Sequence, residues 1–155
     1  MKTRIYILSL TIILTLFAGC RKYPEDTYFI TFRSVTKRLL GDWQINDFKI
    51  NETSSINLFD TTENQIIVQI NESSPNNEVD GDLVKIADVY GIWTYENSQK
   101  QLKFQFYEQN NDAYYYFGPF TAGKTSIWDI QKLSIDELWL ETNYENKNYK
   151  LFLQK

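Results

Sequence analysis

The stretch GIWTYENSQKQLKFQF, residues 91–106, decides the fold of this chain. Its apolar positions alternate with polar ones in two short runs: Gly91, Trp93 and Tyr95, then Leu102, Phe104 and Phe106. A four-residue loop over 97–100 sets Trp93 opposite Phe104 and Gly91 opposite Phe106, where glycine leaves room for the ring. A slip of one residue would scatter this apolar side. The stretch therefore predicts an antiparallel hairpin with one buried face.

The C-terminal part of the chain repeats this alternation. Three more runs predict strands, over residues 126–133, 138–144 and 149–153. A second four-residue loop over 145–148 is predicted to pair Tyr144 with Tyr149. Trp139 and Phe152 then point away from the apolar side, towards solvent or a covering element.

The segment before the hairpin predicts a short helix followed by a bent strand. Ser34 is a suitable N-cap for a helical turn or two over 35–40. Trp43 opens the first strand, but Phe48 falls on the opposite face from Trp43. A change of phase inside one strand indicates a β-bulge.

The middle of the chain leaves the number of strands open. Strands are expected over 65–70 and 83–87, and 71–82 is the clearest loop because turn-forming residues cluster there. Residues 51–64 read as loop with one weak strand. An aromatic strand over 113–120 is expected to break at its Gly-Pro step.

These strands join through short turns, which describes an antiparallel meander. Closure into a barrel removes both unpaired sheet edges. The predicted fold class is all-β: an antiparallel up-and-down β-barrel of about eight strands with a short N-terminal helix.

The N-terminus predicts a secretory signal. Lys2 and Arg4 precede an apolar run that ends in small residues before Cys20, the only cysteine. Loss of 1–19 lowers Lys+Arg from 16 to 14 against 20 acids, which gives a net charge of −6. An acidic surface disfavours nucleic-acid binding.

The chain contains no histidine. The usual general base, the usual activator of a nucleophile and the commonest zinc ligand are therefore missing. The acid pairs Glu25-Asp26, Asp80-Gly81-Asp82 and Asp136-Glu137 are typical of solvated turns, although carboxylate-pair glycosidases stay formally possible. We expect no enzyme activity, catalytic residue, cofactor or metal.

Leu16-Phe17-Ala18-Gly19-Cys20 resembles the lipobox of bacterial lipoproteins, with Phe17 where leucine is usual. The resemblance implies a signal peptide over 1–19, diacylglyceryl and acyl chains such as palmitate on Cys20, and a lipid-anchored tether over 20–33. Arg21 in place of aspartate implies sorting to the outer membrane, with its periplasmic or surface face open. The alternatives are a signal peptide with an incidental cysteine and an uncleaved anchor.

Residues 34–155 are similar to the lipocalin-like domains of bacterial lipoproteins. The resemblance is carried by Gly41-Asp42-Trp43 after the helix, Gly91-Ile92-Trp93, the run 128–133 and Leu138-Trp139-Leu140. It implies a barrel capped by the N-terminal helix.

Two functions are compatible with such a barrel. The first is binding of a small apolar or amphipathic ligand, lined by Trp43, Trp93, Tyr95, Phe104, Phe106 and Trp128. In the second, those rings fill the core and the domain is a structural or interaction subunit of an envelope assembly. The aromatic run Tyr114–Phe117 suggests a contact with an unknown protein partner.

Overall fold

The computed structural model describes residues 22–26, 33–59, 67–71, 82–86, 89–107 and 117–155. One helix, α1 (Val35–Leu39), precedes the strands in this part of the chain. Nine strands follow: β1 (Gly41–Ile50), β2 (Thr53–Ser54), β3 (Ile67–Asn71), β4 (Asp82–Ile86), β5 (Val89–Glu96), β6 (Gln101–Phe106), β7 (Thr125–Leu133), β8 (Glu137–Tyr144) and β9 (Lys147–Gln154).

The sheet closes on itself. β1 pairs with β3, each later strand pairs with the next, and β9 returns to pair with β1, all antiparallel. The short strand β2 pairs only with the last two residues of β1, Lys49 and Ile50, and is not part of the closed barrel. The predicted all-β, eight-stranded up-and-down barrel is confirmed, because closure gives every barrel strand two partners.

The hairpin over residues 91–106 has the predicted register. Gly91 lies opposite Phe106 and Trp93 opposite Phe104. A Cβ placed on Gly91 would come within 2.5 Å of the carbonyl oxygen of Gln105 and 2.9 Å of the Phe106 ring. Only glycine fits at this point.

The predicted loop between β8 and β9 is wrong. Tyr144 pairs with Lys147 and Thr142 with Tyr149, so the strands are joined by the two-residue turn of Glu145 and Asn146. Both turn residues have positive φ, 49° and 63°. This conformation suits a tight hairpin because its twist matches that of the strands. The two-residue shift preserves the predicted faces, since side chains alternate with a period of two.

The helix and the bend in β1 are confirmed. The Ser34 hydroxyl accepts a hydrogen bond from the backbone N–H of Lys37 and caps α1. The pairing of β1 with β9 is irregular between Ile45 and Asp47, which is the predicted bulge. It allows Trp43 and Phe48 to be buried on the same side of the sheet.

Some expectations lie outside the described residues, among them Cys20, most of the 71–82 loop and Tyr114, Tyr115 and Tyr116. Gly118–Phe120 forms a 3-10 turn, and most of the aromatic strand predicted before it lies outside the described residues. No helix within the described residues is long and apolar enough to cross a membrane.

The barrel has two different ends. One end, which we call the helix end, holds α1, the start of β1 and the last residues of β7 and β9. The loop end is the opposite one, with the end of β1 and the β8–β9 turn. The 3-10 turns Ile56–Leu58 and Gly118–Phe120 lie in the connections at the loop end.

Candidate functional site

The six residues predicted to line a ligand site belong to the interior of the barrel: Trp43 on β1, Trp93 and Tyr95 on β5, Phe104 and Phe106 on β6, and Trp128 on β7. Five of them are at most 1% exposed. Tyr95 is half-buried and packs against the same core. The strands therefore gather all six side chains, and their contact with a ligand stays a prediction.

The interior rings pack on one another. The centroid of Phe104 lies 6.1 Å from that of Phe106 and 6.4 Å from that of Trp128. Trp93 meets Tyr95 edge-to-face at 5.1 Å. Contacts of this kind add about 0.5–1.5 kcal/mol each beyond the burial of area. The described part of the interior is thus built as a packed aromatic core.

Each interior indole already has a hydrogen-bond acceptor in the protein. Nε1 of Trp43 donates to the carbonyl oxygen of Leu39 at 2.7 Å. Nε1 of Trp93 donates to the carbonyl of Asn71, and Nε1 of Trp128 to the Ser126 hydroxyl. Buried N–H groups need such partners. Because the fold supplies them, no ligand is required to satisfy these donors.

A second aromatic group closes the loop end, and sequence reasoning did not assign it to a site. We call it the loop-end cluster: Phe48, Phe59, Phe117, Phe120 and Tyr149. Phe59 and Phe117 come from the two connections at this end and meet at 5.4 Å. Phe120 stacks on Trp128 at 5.4 Å and an interplanar angle of 28°. The cluster is therefore continuous with the interior rings.

Two signals in the sequence point to this cluster. Phe48 is out of phase with Trp43, so the bulge was needed to turn it inwards. Phe120 follows a Gly-Pro step, and Gly118 has φ of +53°. A Cβ on Gly118 would lie 2.8 Å from the Tyr149 hydroxyl. Glycine therefore lets the turn carry Phe120 into the barrel mouth.

Polar contacts close the helix end. Arg38 is buried, and its Nη1 donates to the carbonyl oxygen of Leu133. Lys155 Nζ donates to the carbonyl oxygens of Arg38 and Leu40, at 2.9 and 2.7 Å, and lies 4.3 Å from the centroid of the Trp43 ring. The last residue of the chain thereby binds the last carbonyls of α1, which have no partner inside a helix.

Residues 22–26, within the predicted tether, pack on this end of the barrel. Tyr23 is 1% exposed, and its hydroxyl donates to the carbonyl oxygen of Gln99 at 2.9 Å. Glu25 N–H donates to the carbonyl of Gln131. Burial raises the pKa of Tyr23, since the ionised phenolate would lose its water. Tyr23 is thus a core residue.

A cleft of about 350 Å³ lies beside this segment. Its lining includes Lys22, Pro24, Asn97, Lys100 and Asp129. Burial lowers the pKa of Lys22, and the nearby positive charges of Arg38 and Lys100 lower it further. The charged residues that line the cleft are therefore two lysines and one aspartate.

The outer face of β8 and β9 carries a separate aromatic pair. Trp139 and Phe152 meet edge-to-face at 5.4 Å, on the side predicted for them. Lys132 Nζ lies 4.5 Å from the Trp139 ring centroid and pairs with Glu137 at 2.6 Å. Lys49 lies over Phe152. The rings are shielded by lysine side chains, which are already neutralised by acids.

The acid pairs have structural partners where the structure describes them. The Asp26 carboxylate accepts the backbone N–H of Leu133 at 3.0 Å. Asp136 accepts the Ser134 hydroxyl, and Glu137 pairs with Lys132. Among the described residues, no three acids, cysteines or histidines come together as a metal site would need.

No protein-family profile and no curated relative matches this chain. Among solved structures, it is similar to a lipocalin-like protein from Bacteroides uniformis, at 15% sequence identity and a TM-score of 0.44. That alignment covers 76% of this chain and 98% of the other. The assignment as a closed barrel rests on the strand pairings themselves.

Proposed function

We propose that this chain is an exported lipoprotein of the cell envelope, held in the outer membrane by acyl chains on Cys20, whose barrel is a non-enzymatic contact domain. The packed aromatic core in the described part of the interior supports the proposal of a contact domain. The three interior indoles are at most 1% exposed and have their N–H groups satisfied. A domain with such a core offers its outer surface to partners.

The first test concerns the anchor. Cys20→Ala removes the only thiol of the chain, so the protein is expected to lose labelling by radioactive palmitate and to stop floating with membranes. Arg21→Ala, which keeps the thiol, is the matched control and should behave like wild type. A Cys20→Ala protein that still floats with membranes would overturn the anchor.

A small apolar or amphipathic ligand is the second candidate. The loop-end cluster favours it, because Phe117 is only half-buried there. The apolar rings at this end of the barrel contact one another by van der Waals packing and not by hydrogen bonds of their side chains. A ligand could replace those ring contacts with contacts of its own.

One experiment separates the two candidates. Native mass spectrometry of protein purified from its own host is expected to show no co-purifying small molecule if the interior is filled. Phe120→Ala, which opens a space among the rings, is the control that shows the method detects a bound apolar molecule. A stoichiometric extra mass on the wild-type protein would favour the ligand-binding function over the contact domain.

A further inference from the structure

The first described residues of the chain are fastened to the helix end. Lys22 Nζ donates to Oε1 of Gln99 and the Tyr23 hydroxyl to the carbonyl of Gln99, both at 2.9 Å. The backbone N–H of Glu25 donates to Gln131 at 2.8 Å. With Tyr23 buried in the core, this segment packs against the helix end of the barrel.

The distance from this segment to Cys20 is limited by covalent geometry. Three Cα–Cα steps separate Cys20 from Tyr23, so their Cα atoms lie at most about 11 Å apart in any conformation. A flexible tether of a dozen residues would allow the barrel to tumble at some distance from its anchor. The fastened segment removes that freedom.

The surface beside this point has the charge that a phospholipid surface attracts. Lys22 and Lys100 line the same cleft of about 350 Å³, in a chain whose net charge is −6 once residues 1–19 are removed, since 14 Lys+Arg then stand against 20 acids. Asp129 also lines the cleft, and its carboxylate accepts a hydrogen bond from Nε2 of Gln101 at 2.8 Å, so two lysines outnumber one carboxylate there. Lysines close to a membrane contribute about 1 kcal/mol each when its lipids are anionic.

We propose that this anchor-side surface, formed by Lys22, Pro24, Asn97 and Lys100, lies against the phospholipid headgroups of the membrane that holds Cys20. The barrel is then held in one orientation, with the helix end against the lipid and the loop end facing away. This inference rests on the proposed lipid anchor and goes beyond it, since an anchor alone fixes no orientation.

The test uses the single cysteine of the chain. Because lipid occupies Cys20, an introduced cysteine is the only thiol free for a fluorophore. Ser98→Cys and Asn146→Cys are matched sites: both are exposed turn residues of positive φ, 55° and 63°, at opposite ends of the barrel. The ends are roughly 20 Å apart, since eight residues rise about 26 Å and barrel strands tilt by about 40°.

Each labelled, lipidated protein is reconstituted into phosphatidylethanolamine–phosphatidylglycerol vesicles that carry a nitroxide on some of the headgroups. The probe at residue 98 is expected to be quenched several-fold more than the probe at residue 146. Equal quenching of the two, in protein that floats with the vesicles, would overturn the orientation and leave the anchor intact. Stronger quenching at residue 146 would also overturn it. Protein that does not float would instead refute the anchor.

Two further variants test the cause. A ten-residue Gly/Ser insertion between Arg21 and Lys22 should bring the quenching at residue 98 down towards that at residue 146. Lys22→Gln with Lys100→Gln should lower quenching at residue 98 in anionic vesicles more than Lys124→Gln with Lys147→Gln, which removes equal charge at the loop end. Unchanged quenching in both the insertion and the anchor-side pair would contradict the proposal.

Discussion

The two ends of the barrel are closed by different chemistry. At the helix end, side chains of Arg38, Trp43 and Lys155 donate to backbone carbonyl oxygens. At the loop end, Phe59, Phe117 and Phe120 close the opening through ring contacts of 5.4–5.8 Å. The side chains that close the helix end form directional hydrogen bonds, whereas those that close the loop end pack as rings.

This difference shows how one barrel can be fixed at one end and adaptable at the other. A hydrogen bond to a buried carbonyl has one good geometry, and breaking it leaves the carbonyl unsatisfied at a cost of about 1–3 kcal/mol. Aromatic rings can slide or re-pack with a smaller loss for each ring. We therefore expect any binding within the barrel to begin at the loop end.

The largest expected effect comes from removing the ring that joins the loop-end cluster to the interior. Phe120→Ala should lower the free energy of unfolding by about 3–5 kcal/mol, because a buried phenyl group is lost and a cavity remains. Chemical denaturation measures this. Phe152→Ala on the outer face is the control, with a loss of roughly 1 kcal/mol for its edge-to-face contact. Equal losses would show that the loop end is not packed as described.

A change at the helix end should have a smaller effect, through the loss of one hydrogen bond and of part of a buried ring. Trp43→Phe keeps an aromatic ring but deletes the N–H that the Leu39 carbonyl accepts. We expect a loss of about 2 kcal/mol in the free energy of unfolding, since that carbonyl is left without its donor. A loss below about 0.5 kcal/mol would mean that the polar closure contributes little.

Tyr23 gives the helix end a dependence on pH. Its native pKa is raised above the ordinary 10.0, so the native state keeps the proton after the unfolded state has lost it. The stabilising contribution of Tyr23 is complete below pH 10 and declines by about 1.4 kcal/mol per pH unit as the pH rises above 10.

The matched variant for this prediction is Tyr23→Phe. Below pH 10 it should be about 1 kcal/mol less stable than wild type, because the hydrogen bond to Gln99 is lost. Above pH 10 its stability should fall less steeply than that of the wild type. Denaturation curves between pH 8 and pH 11 measure both, and parallel slopes for the two proteins would contradict a buried, protonated tyrosine.

The smallest effect is expected from the last residue. Lys155→Met removes two hydrogen bonds of an exposed residue, and we expect a loss of about 0.5–1 kcal/mol. Lys147→Met, at an exposed position of the loop end, should change stability by less than about 0.5 kcal/mol. A larger loss for Lys147→Met than for Lys155→Met would reverse the contrast between the two ends.

The sequence predicted the barrel because its wall is governed by local rules. Alternation gave the faces of β5 and β6, and their register followed from matching Trp93 with Phe104. The same reasoning failed at the β8–β9 turn, since a shift of two residues preserves every face and Glu145-Asn146 carries no strong turn signal. The choice between registers was made by the backbone conformation of the turn, which the pattern does not reveal.

The candidate site was less predictable. The inward-facing rings followed from alternation, but Phe59 and Phe120 lie in connections where no period applies. Their positions depend on long-range packing, as does the burial of Tyr23, which lies in the segment predicted to be a polar tether. Contacts between segments far apart in sequence cannot be read from the periodicity of either one.

The pairing of β1 with β9 has a consequence for how the protein folds. Ile45 is matched with Leu153, so the barrel can close only after the last strand has reached the first one. Until then, β1 and β8 each present an open edge that another chain could extend. Such non-local closure is intrinsically slow. The eight residues of β9 therefore close the barrel by pairing with both β1 and β8, and without them the sheet stays open.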